Sequence, residues 1–122
     1  MEFKDNQAIY LQIADYLGEK ILRGLIKPGE RVPSVRELAV ELAVNPNTVV
    51  RSFEFLTDQK VIKQQRGVGY FATDEAVERV KSIMRQDFFE KSLPELLRTM
   101  ALLDIQFDDL KPQLEEIGRA HV

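Results

Sequence analysis

Four side chains near the middle of the chain have the types and spacing to read DNA. Asn47 and Arg51 lie one helical turn apart, and their amide and guanidinium groups can pair bidentately with adenine and guanine. Val50 offers an apolar contact to a thymine methyl group, and the Thr48 hydroxyl can bond a phosphate. These residues predict a surface that reads the major groove. An ordinary solvated helix face is the other interpretation of the same pattern.

Three cationic side chains and one glycine suit contact with the sugar-phosphate backbone, although Arg36 could also reach a base edge and the glycine could also approach the minor groove. Arg36 stands in the first turn of a predicted helix, while Lys63 and Arg66 flank the turn of a predicted hairpin. Gly67 in that turn permits a positive φ and a close approach of the protein backbone to DNA. Contacts of this kind set affinity and register. A tight hairpin turn without a DNA partner is the alternative explanation of the glycine.

No set of residues in the sequence supports catalysis. The chain has no cysteine and a single histidine, His121, so it offers neither a thiol nucleophile nor a metal cluster. Gly67-Val68-Gly69 falls inside a hairpin and not between a strand and a helix, which excludes a nucleotide-binding fingerprint. Paired acids such as Asp108-Asp109 fit a solvated helix face. We expect no catalytic residue, no cofactor, no metal and no enzyme activity.

Three predicted helices position the candidate residues. Apolar residues at three- and four-residue steps predict a first helix from about Asn6 to Gly24. The capping box Ser34-Val35-Arg36-Glu37 starts a second helix that ends near Ala43. Asn45-Pro46, a cap followed by proline at the first helical position, starts a third. The inward stripe of this third helix is Val49, Phe53 and Leu56.

A hairpin follows the third helix. Residues 61–64 and 69–72 read as its two strands, and residues 30–32 can add a short edge strand. Two helices joined by a tight turn and followed by a hairpin are the order of a winged helix-turn-helix, whose second helix enters the major groove. The predicted fold is therefore mainly α with a small β-hairpin wing, in a domain spanning residues 1–72.

The remaining segment, residues 73–122, is predicted to be all-helical. One helix is expected over about 74–91, and Ser92 and Glu95 read as a second capping box for the next. The segment is too short to bury its apolar stripes alone, so it must pack on the first domain or on a second copy. The stripes that contain Met84, Phe88, Phe89 and Met100 fit a dimer core or a ligand cavity.

Composition and charge agree with a soluble cytoplasmic protein. Of 122 residues, 44% are hydrophobic and 30% are charged, and no apolar run is long enough for a membrane helix. The first residues lack the order of a signal peptide. The net charge of −3 combines +1 over residues 1–72 with −4 over residues 73–122. Because cation clusters and not totals govern DNA binding, the acidic segment does not exclude a DNA partner.

The quoted motifs resemble those of the GntR family of bacterial transcription regulators, within its short YtrA-like subfamily. The similar stretches are YLQIADYLGEKILRGLIKPGERVPSVRELA, VNPNTVVRSFEFL and VIKQQRGVGYF. The resemblance implies a winged-helix reader, a helical tail that forms a homodimer, and repression of a nearby operon that often encodes a transporter. The DNA contacts that it implies are Arg36, Asn47, Thr48, Arg51, Arg66 and Gly67.

The chain departs from the family pattern at three positions. Ala43 and Lys60 stand where the family often has glycine at a helix end, and Val50 stands where other branches often carry arginine. The larger ligand-binding domains of other branches do not fit in the remaining residues, which leaves a small-molecule effector open.

The sequence thus predicts a homodimeric, winged-helix repressor that binds a pseudo-palindromic operator in double-stranded DNA. A winged-helix protein-interaction module without DNA-binding activity is the alternative.

Overall fold

The computed structural model describes residues 1–4 and 6–120, with the side chains of 119 and 120 excepted. His121 lies outside the described residues. The chain divides into two compact units, Met1–Met84 and Arg85–Val122, which we call the head and the tail.

The head and the tail contain six α-helices, one π-helical turn and one hairpin within the described residues. In chain order these are α1 (Ile9–Leu22), α2 (Val35–Leu42), α3 (Pro46–Asp58), β1 (Ile62–Gln65), β2 (Gly69–Ala72), α4 (Ala76–Asp87), the π-helical turn (Phe88–Ser92), α5 (Leu93–Leu102) and α6 (Phe107–Ala120). The fold is mainly helical with a small antiparallel wing, as the sequence predicted.

The two helices of the helix-turn-helix begin where capping chemistry places them. The Ser34 hydroxyl accepts a hydrogen bond from the Glu37 N–H at 3.0 Å, and the Glu37 carboxylate accepts one from the Ser34 N–H at 3.3 Å. The Asn45 side chain accepts a hydrogen bond from the Asn47 N–H at 2.8 Å, with Pro46 as the first helical residue. Both predicted caps are confirmed. Each satisfies N–H groups that a helix start leaves without an intrahelical partner.

One buried stripe of α3 holds the head together. Val49, Phe53 and Leu56 are each at most 2% exposed, and the Phe53 ring packs edge-on against Tyr70 of the wing at 4.8 Å between centroids. The same core takes in Ile13, Leu17 and Ile21 of α1, Leu38 and Leu42 of α2, and Ile62 and Ala72 of the hairpin. Packing on three sides fixes which face of α3 is left for solvent.

The wing is a two-stranded hairpin with one additional bridge. Ile62 pairs with Ala72 and Gln65 with Gly69, in antiparallel register. Arg31 forms an isolated bridge to Phe71. The Val32 N–H donates to the Tyr70 carbonyl and the Ala72 N–H to the Glu30 carbonyl, both at 2.9 Å. The edge strand expected at residues 30–32 is therefore a single bridge with flanking hydrogen bonds.

The start of α4 belongs to the head. Ala76 and Val80 are buried in its core, and Ile83 and Met84 pack against it. Gly18 of α1 permits this approach, because a Cβ there would lie 3.0 Å from both Met84 Cε and Val80 Cγ1. The compact unit thus runs beyond residue 72, where we expected the first domain to end.

The second predicted capping box, Ser92 to Glu95, is wrong. Ser92 has helical dihedral angles and its side chain makes no capping hydrogen bond. The backbone instead stays helical and widens over Phe88–Ser92, where the Leu93 N–H donates to the Phe88 carbonyl five residues earlier. Pro94 accounts for this turn, since a proline in a regular helix lacks its N–H and clashes with the carbonyl four residues before it.

Two non-glycine residues end helices of the helix-turn-helix in the left-handed region, Ala43 at φ 56° and Lys60 at φ 61°. After α2 the Val44 N–H donates to the Ala39 carbonyl at 3.0 Å, the closing hydrogen bond of a Schellman motif. The motif places Ala43 at the position where glycine is free of steric strain. Its exposed Cβ contributes no core packing in return.

We predict that Ala43→Gly raises the free energy of unfolding by about 1 kcal/mol, because glycine carries no steric penalty in the left-handed region. Ala43→Val should lower the free energy of unfolding, since a β-branched residue tolerates positive φ worse than alanine. Urea unfolding of both full-length variants checks this pair. Equal stabilities for the glycine and valine variants would contradict the strain at this position.

Candidate nucleic-acid interface

The outward face of α3 carries the residues that the sequence singled out for base contacts. Asn47 and Arg51 are exposed, Val50 is 39% exposed and Thr48 is half-buried. All four lie in the first turns of α3; Asn47 and Arg51 lie opposite the stripe of Val49, Phe53 and Leu56, and Thr48 and Val50 flank that outward face. The structure thus brings the four together on the N-terminal part of one helix, the part that enters the major groove in a helix-turn-helix.

Among the residues that the structure describes, Arg51 has a defined side-chain partner. Its guanidinium carbon lies 4.2 Å above the centre of the Tyr10 ring of α1. Within the part of the chain that the structure describes, the ion pairs are Arg23 with Glu19 and Lys91 with Asp87. No carboxylate of the described residues therefore neutralises Arg51.

The wing presents the cations expected of it. Lys63 lies exposed on β1 opposite Phe71, and Arg66 is exposed in the turn. Gly67 has φ 77°, and apart from its two chain neighbours no described residue has an atom within 4 Å of the position that a Cβ would occupy there. The turn backbone is consequently open to a partner. The same geometry also fits a tight hairpin turn that binds nothing.

Arg36 is on the second helix of the head and not on α3. It is exposed in the first turn of α2, directly after the Ser34 cap. Helix α2 packs on α3, so Arg36 belongs to the same helix-turn-helix as Asn47 and Arg51. The candidate surface is thus assembled from α2, α3 and the wing.

Sequence reasoning missed Arg31 and Tyr10. The bridge pairs Arg31 with Phe71, which pairs in turn with Lys63, so Arg31 and Lys63 project from the same face of the wing. The Arg31 Nε lies 2.9 Å from the position of a Cβ on Gly69, so glycine lets this side chain cross the wing. Although both residues fall within the family-like stretches, their roles at the site could not be inferred from neighbours in sequence, because each acts through contacts between distant segments.

Hydrogen bonds and a nearby charge at the start of α2 lower the pKa of the Glu37 carboxyl. Hydrogen bonds from Ser34, first from its side chain and then from its backbone, together with the charge of Arg31, hold the pKa of the Glu37 carboxyl below its ordinary value. The capping box beside Arg36 is therefore fully formed near neutral pH.

Within residues 1–4 and 6–120, no group of three or more His, Cys, Asp or Glu is arranged to hold a metal ion. Among the helices of those residues, none has the length and apolar character to cross a membrane.

Known proteins similar to this chain are regulators of transcription. The family model for bacterial regulatory proteins of the gntR family matches residues 9–71. The HTH-type transcriptional repressor YtrA of Bacillus subtilis (strain 168) is 29% identical over 115 residues, which are 94% of this chain and 88% of that protein. The matched family and this repressor are regulators of transcription, not enzymes.

Solved structures share the fold. A putative transcriptional regulator of the GntR family from Bacteroides thetaiotaomicron has a TM-score of 0.72 and 36% identity, over 94% of this chain and 100% of that chain. The structure of AraR(DBD) in complex with operator ORR3 has a TM-score of 0.54 and 25% identity, over 60% of this chain and 86% of that chain.

We predict that the Ser34 amide proton, followed by NMR against pH, shifts with a midpoint below the ordinary pKa of a glutamate. Because the folded pKa of Glu37 is depressed, the capping contact is present above the unfolded pKa and is lost as pH falls through the folded pKa. Glu37→Gln is the matched control, since glutamine keeps the capping geometry without titrating. A midpoint at or above the ordinary value would contradict the assigned contact.

Proposed function

Because the chain belongs to the GntR family of bacterial regulatory proteins, a family of DNA-binding transcription regulators, we propose that it represses transcription from an operator in double-stranded DNA. The observation that carries the proposal is the exposed N-terminal part of α3 with Asn47, Val50 and Arg51, together with the exposed wing cations Lys63 and Arg66; none of these cations has an ion-pair partner among the described residues. Repression in particular is supported by the name of the related YtrA protein.

In this proposal the residues divide into base and phosphate contacts. Asn47 and Arg51 pair with base edges in the major groove, and Val50 meets a thymine methyl group. Phosphates are bound by Thr48, by Arg36 at the start of α2, and by Lys63 and Arg66 with the open backbone at Gly67. Their exposure supports these roles. The base contacts set specificity and the phosphate contacts set affinity and its dependence on salt.

We further propose that the chain binds DNA as a homodimer formed through residues 73–122. Within residues 85–118 no side chain is buried, although apolar side chains recur at helical spacing along α5 and α6. Exposed examples are Leu96, Leu97, Leu103, Leu114 and Ile117. Burying one such side chain stabilises an assembly by about 1.5–3 kcal/mol. A second copy would cover these stripes, and two heads suit a pseudo-palindromic operator.

The cellular role follows from these two proposals. The protein acts in the cytoplasm, where the operator is, and represses a neighbouring operon, for which a transporter is the expectation that the family resemblance supplies. A protein-interaction module remains the competing function, and its signature is the absence of any DNA sequence preference.

We predict that Arg51→Ala weakens binding to the preferred duplex by about 1–3 kcal/mol and relaxes discrimination at one base pair. Lys63→Ala and Arg66→Ala should each weaken binding to all duplexes alike and reduce the slope of log affinity against log salt by about 1. Selection of bound duplexes from a randomised library, followed by anisotropy titrations at several salt concentrations, measures both effects.

Arg79→Ala serves as the control, because Arg79 is an exposed arginine of α4 outside the candidate surface. Its affinity and salt slope should match those of the wild type. A library from which the wild type enriches no sequence would favour the protein-interaction module.

For the tail we predict that Leu97→Glu and Ile117→Glu each raise the dimer dissociation constant by at least about tenfold, because each places a charge in an apolar interface. Gln113→Glu adds the same charge at an exposed polar position of α6 and should leave the dimer intact. Light scattering over a concentration series checks the three variants. Monomeric wild-type protein at all concentrations would refute the dimer.

A further inference from the structure

Arg51, the proposed guanine reader, is held by an aromatic ring from another helix. Its guanidinium carbon lies 4.2 Å from the centre of the Tyr10 ring, in the first turn of α1. Tyr10 is about forty positions away in sequence and belongs to no motif of the helix-turn-helix. The contact is therefore a tertiary feature that ties α1 to the reading face of α3.

We propose that Tyr10 is a specificity-determining positioning residue, whose ring sets the direction in which Arg51 meets a base. The proposal rests on the proposed function, since it gives a role to Tyr10 only if Arg51 reads DNA. Tyr10 acts through Arg51 and needs no contact with DNA itself.

The Tyr10 ring also packs against an aromatic side chain of α3. It packs edge-on against Phe55 of α3, with ring centroids 6.4 Å apart and planes inclined by 72°. Phe55 in turn packs against the buried core of the head. Because Arg51 and Phe55 are four residues apart on α3, they lie on the same side of that helix. The Tyr10 ring thus contacts both side chains of one helical ridge.

The backbone of Tyr10 is tied to α3 as well. The Ser52 hydroxyl donates a hydrogen bond of 2.7 Å to the Tyr10 carbonyl and is also 3.2 Å from the Thr48 carbonyl. Ser52 is fully buried, so the donor side of this bond is shielded from water. Ring and backbone of Tyr10 are consequently both fixed relative to α3, which makes the ring a defined platform.

A platform of this kind matters because arginine is long and flexible. A side chain that must be ordered on binding loses rotamer freedom, and a side chain already ordered loses less. A guanidinium over an aromatic face gains cation–π attraction while its N–H groups remain available for hydrogen bonds. Since no carboxylate of the described chain pairs with Arg51, the ring is the contact that orders it.

The contact with Arg51 involves the Tyr10 ring and not the Tyr10 hydroxyl, so the two groups can be tested separately. The contact with Arg51 is made to the face of the ring, which phenylalanine also provides. Tyr10→Phe should therefore keep the platform, while Tyr10→Leu and Tyr10→Met keep an apolar side chain and remove the aromatic face.

The test is a double-mutant cycle on the full chain. The probe is the duplex that the wild type enriches from a randomised library, together with its single-base-pair variants. Tyr10→Leu should weaken binding to the preferred duplex about 3- to 10-fold and relax discrimination at the same base pair as Arg51→Ala. In the Arg51→Ala background, Tyr10→Leu should have no further effect. Tyr10→Phe should bind within about twofold of the wild type.

Three outcomes would overturn the inference. The first is that the losses of affinity from Tyr10→Leu and Arg51→Ala are additive in the double variant. The second is that Tyr10→Leu lowers the affinity for all duplexes equally. The third is that Tyr10→Phe lowers the affinity as much as Tyr10→Leu. Thermal unfolding confirms that each variant is folded, and Tyr10→Met replaces Tyr10→Leu if the leucine variant is not. A wild type that enriches no duplex, or an Arg51→Ala variant that binds normally, would instead refute the proposed function.

Discussion

The burial of one stripe of α3 is the constraint on which the rest of the head depends. Val49, Phe53 and Leu56 meet α1, α2 and the wing at once, and the Phe53 ring touches Tyr70 of β2. Because an α-helix repeats every 3.6 residues, fixing this stripe also fixes the opposite one. The outward direction of Asn47 and Arg51 is thus a consequence of core packing, and a change in the core would rotate the reading face.

Local chemistry explains why much of the fold could be predicted from the sequence. Ser34 with Glu37 and Asn45 with Pro46 act within a few residues, and the structure shows both caps where they were predicted. The same residue types failed at Ser92, because a capping box stabilises a helix start only where the preceding chain has left the helix. There the chain stays helical and widens ahead of Pro94, which the four-residue motif does not encode.

The parts that sequence reasoning missed are contacts between distant segments. The bridge from Arg31 to Phe71, the approach of α4 to Gly18 and the Tyr10 ring beneath Arg51 each join residues tens of positions apart. Periodicity identifies which side chains face the core, but it does not say which residues meet there. The candidate site was accordingly predicted as a set of exposed residues, while the contacts that orient them required the structure.

The small excess of positive charge on the head gives a physical reason for the proposed dimer. Between Lys27 and Tyr70 seven cations stand against five acids, a modest excess for a protein that binds a polyanion. If the proposed DNA contacts are correct, few phosphate contacts give a single head only weak affinity for DNA of any sequence. Joining two such heads makes the second binding event intramolecular, and the resulting avidity exceeds the affinity of either head without any new contact. In the proposed dimer, the Tyr10 ring would lower the entropic cost of ordering Arg51 in each of the two heads, so its contribution to affinity would count twice.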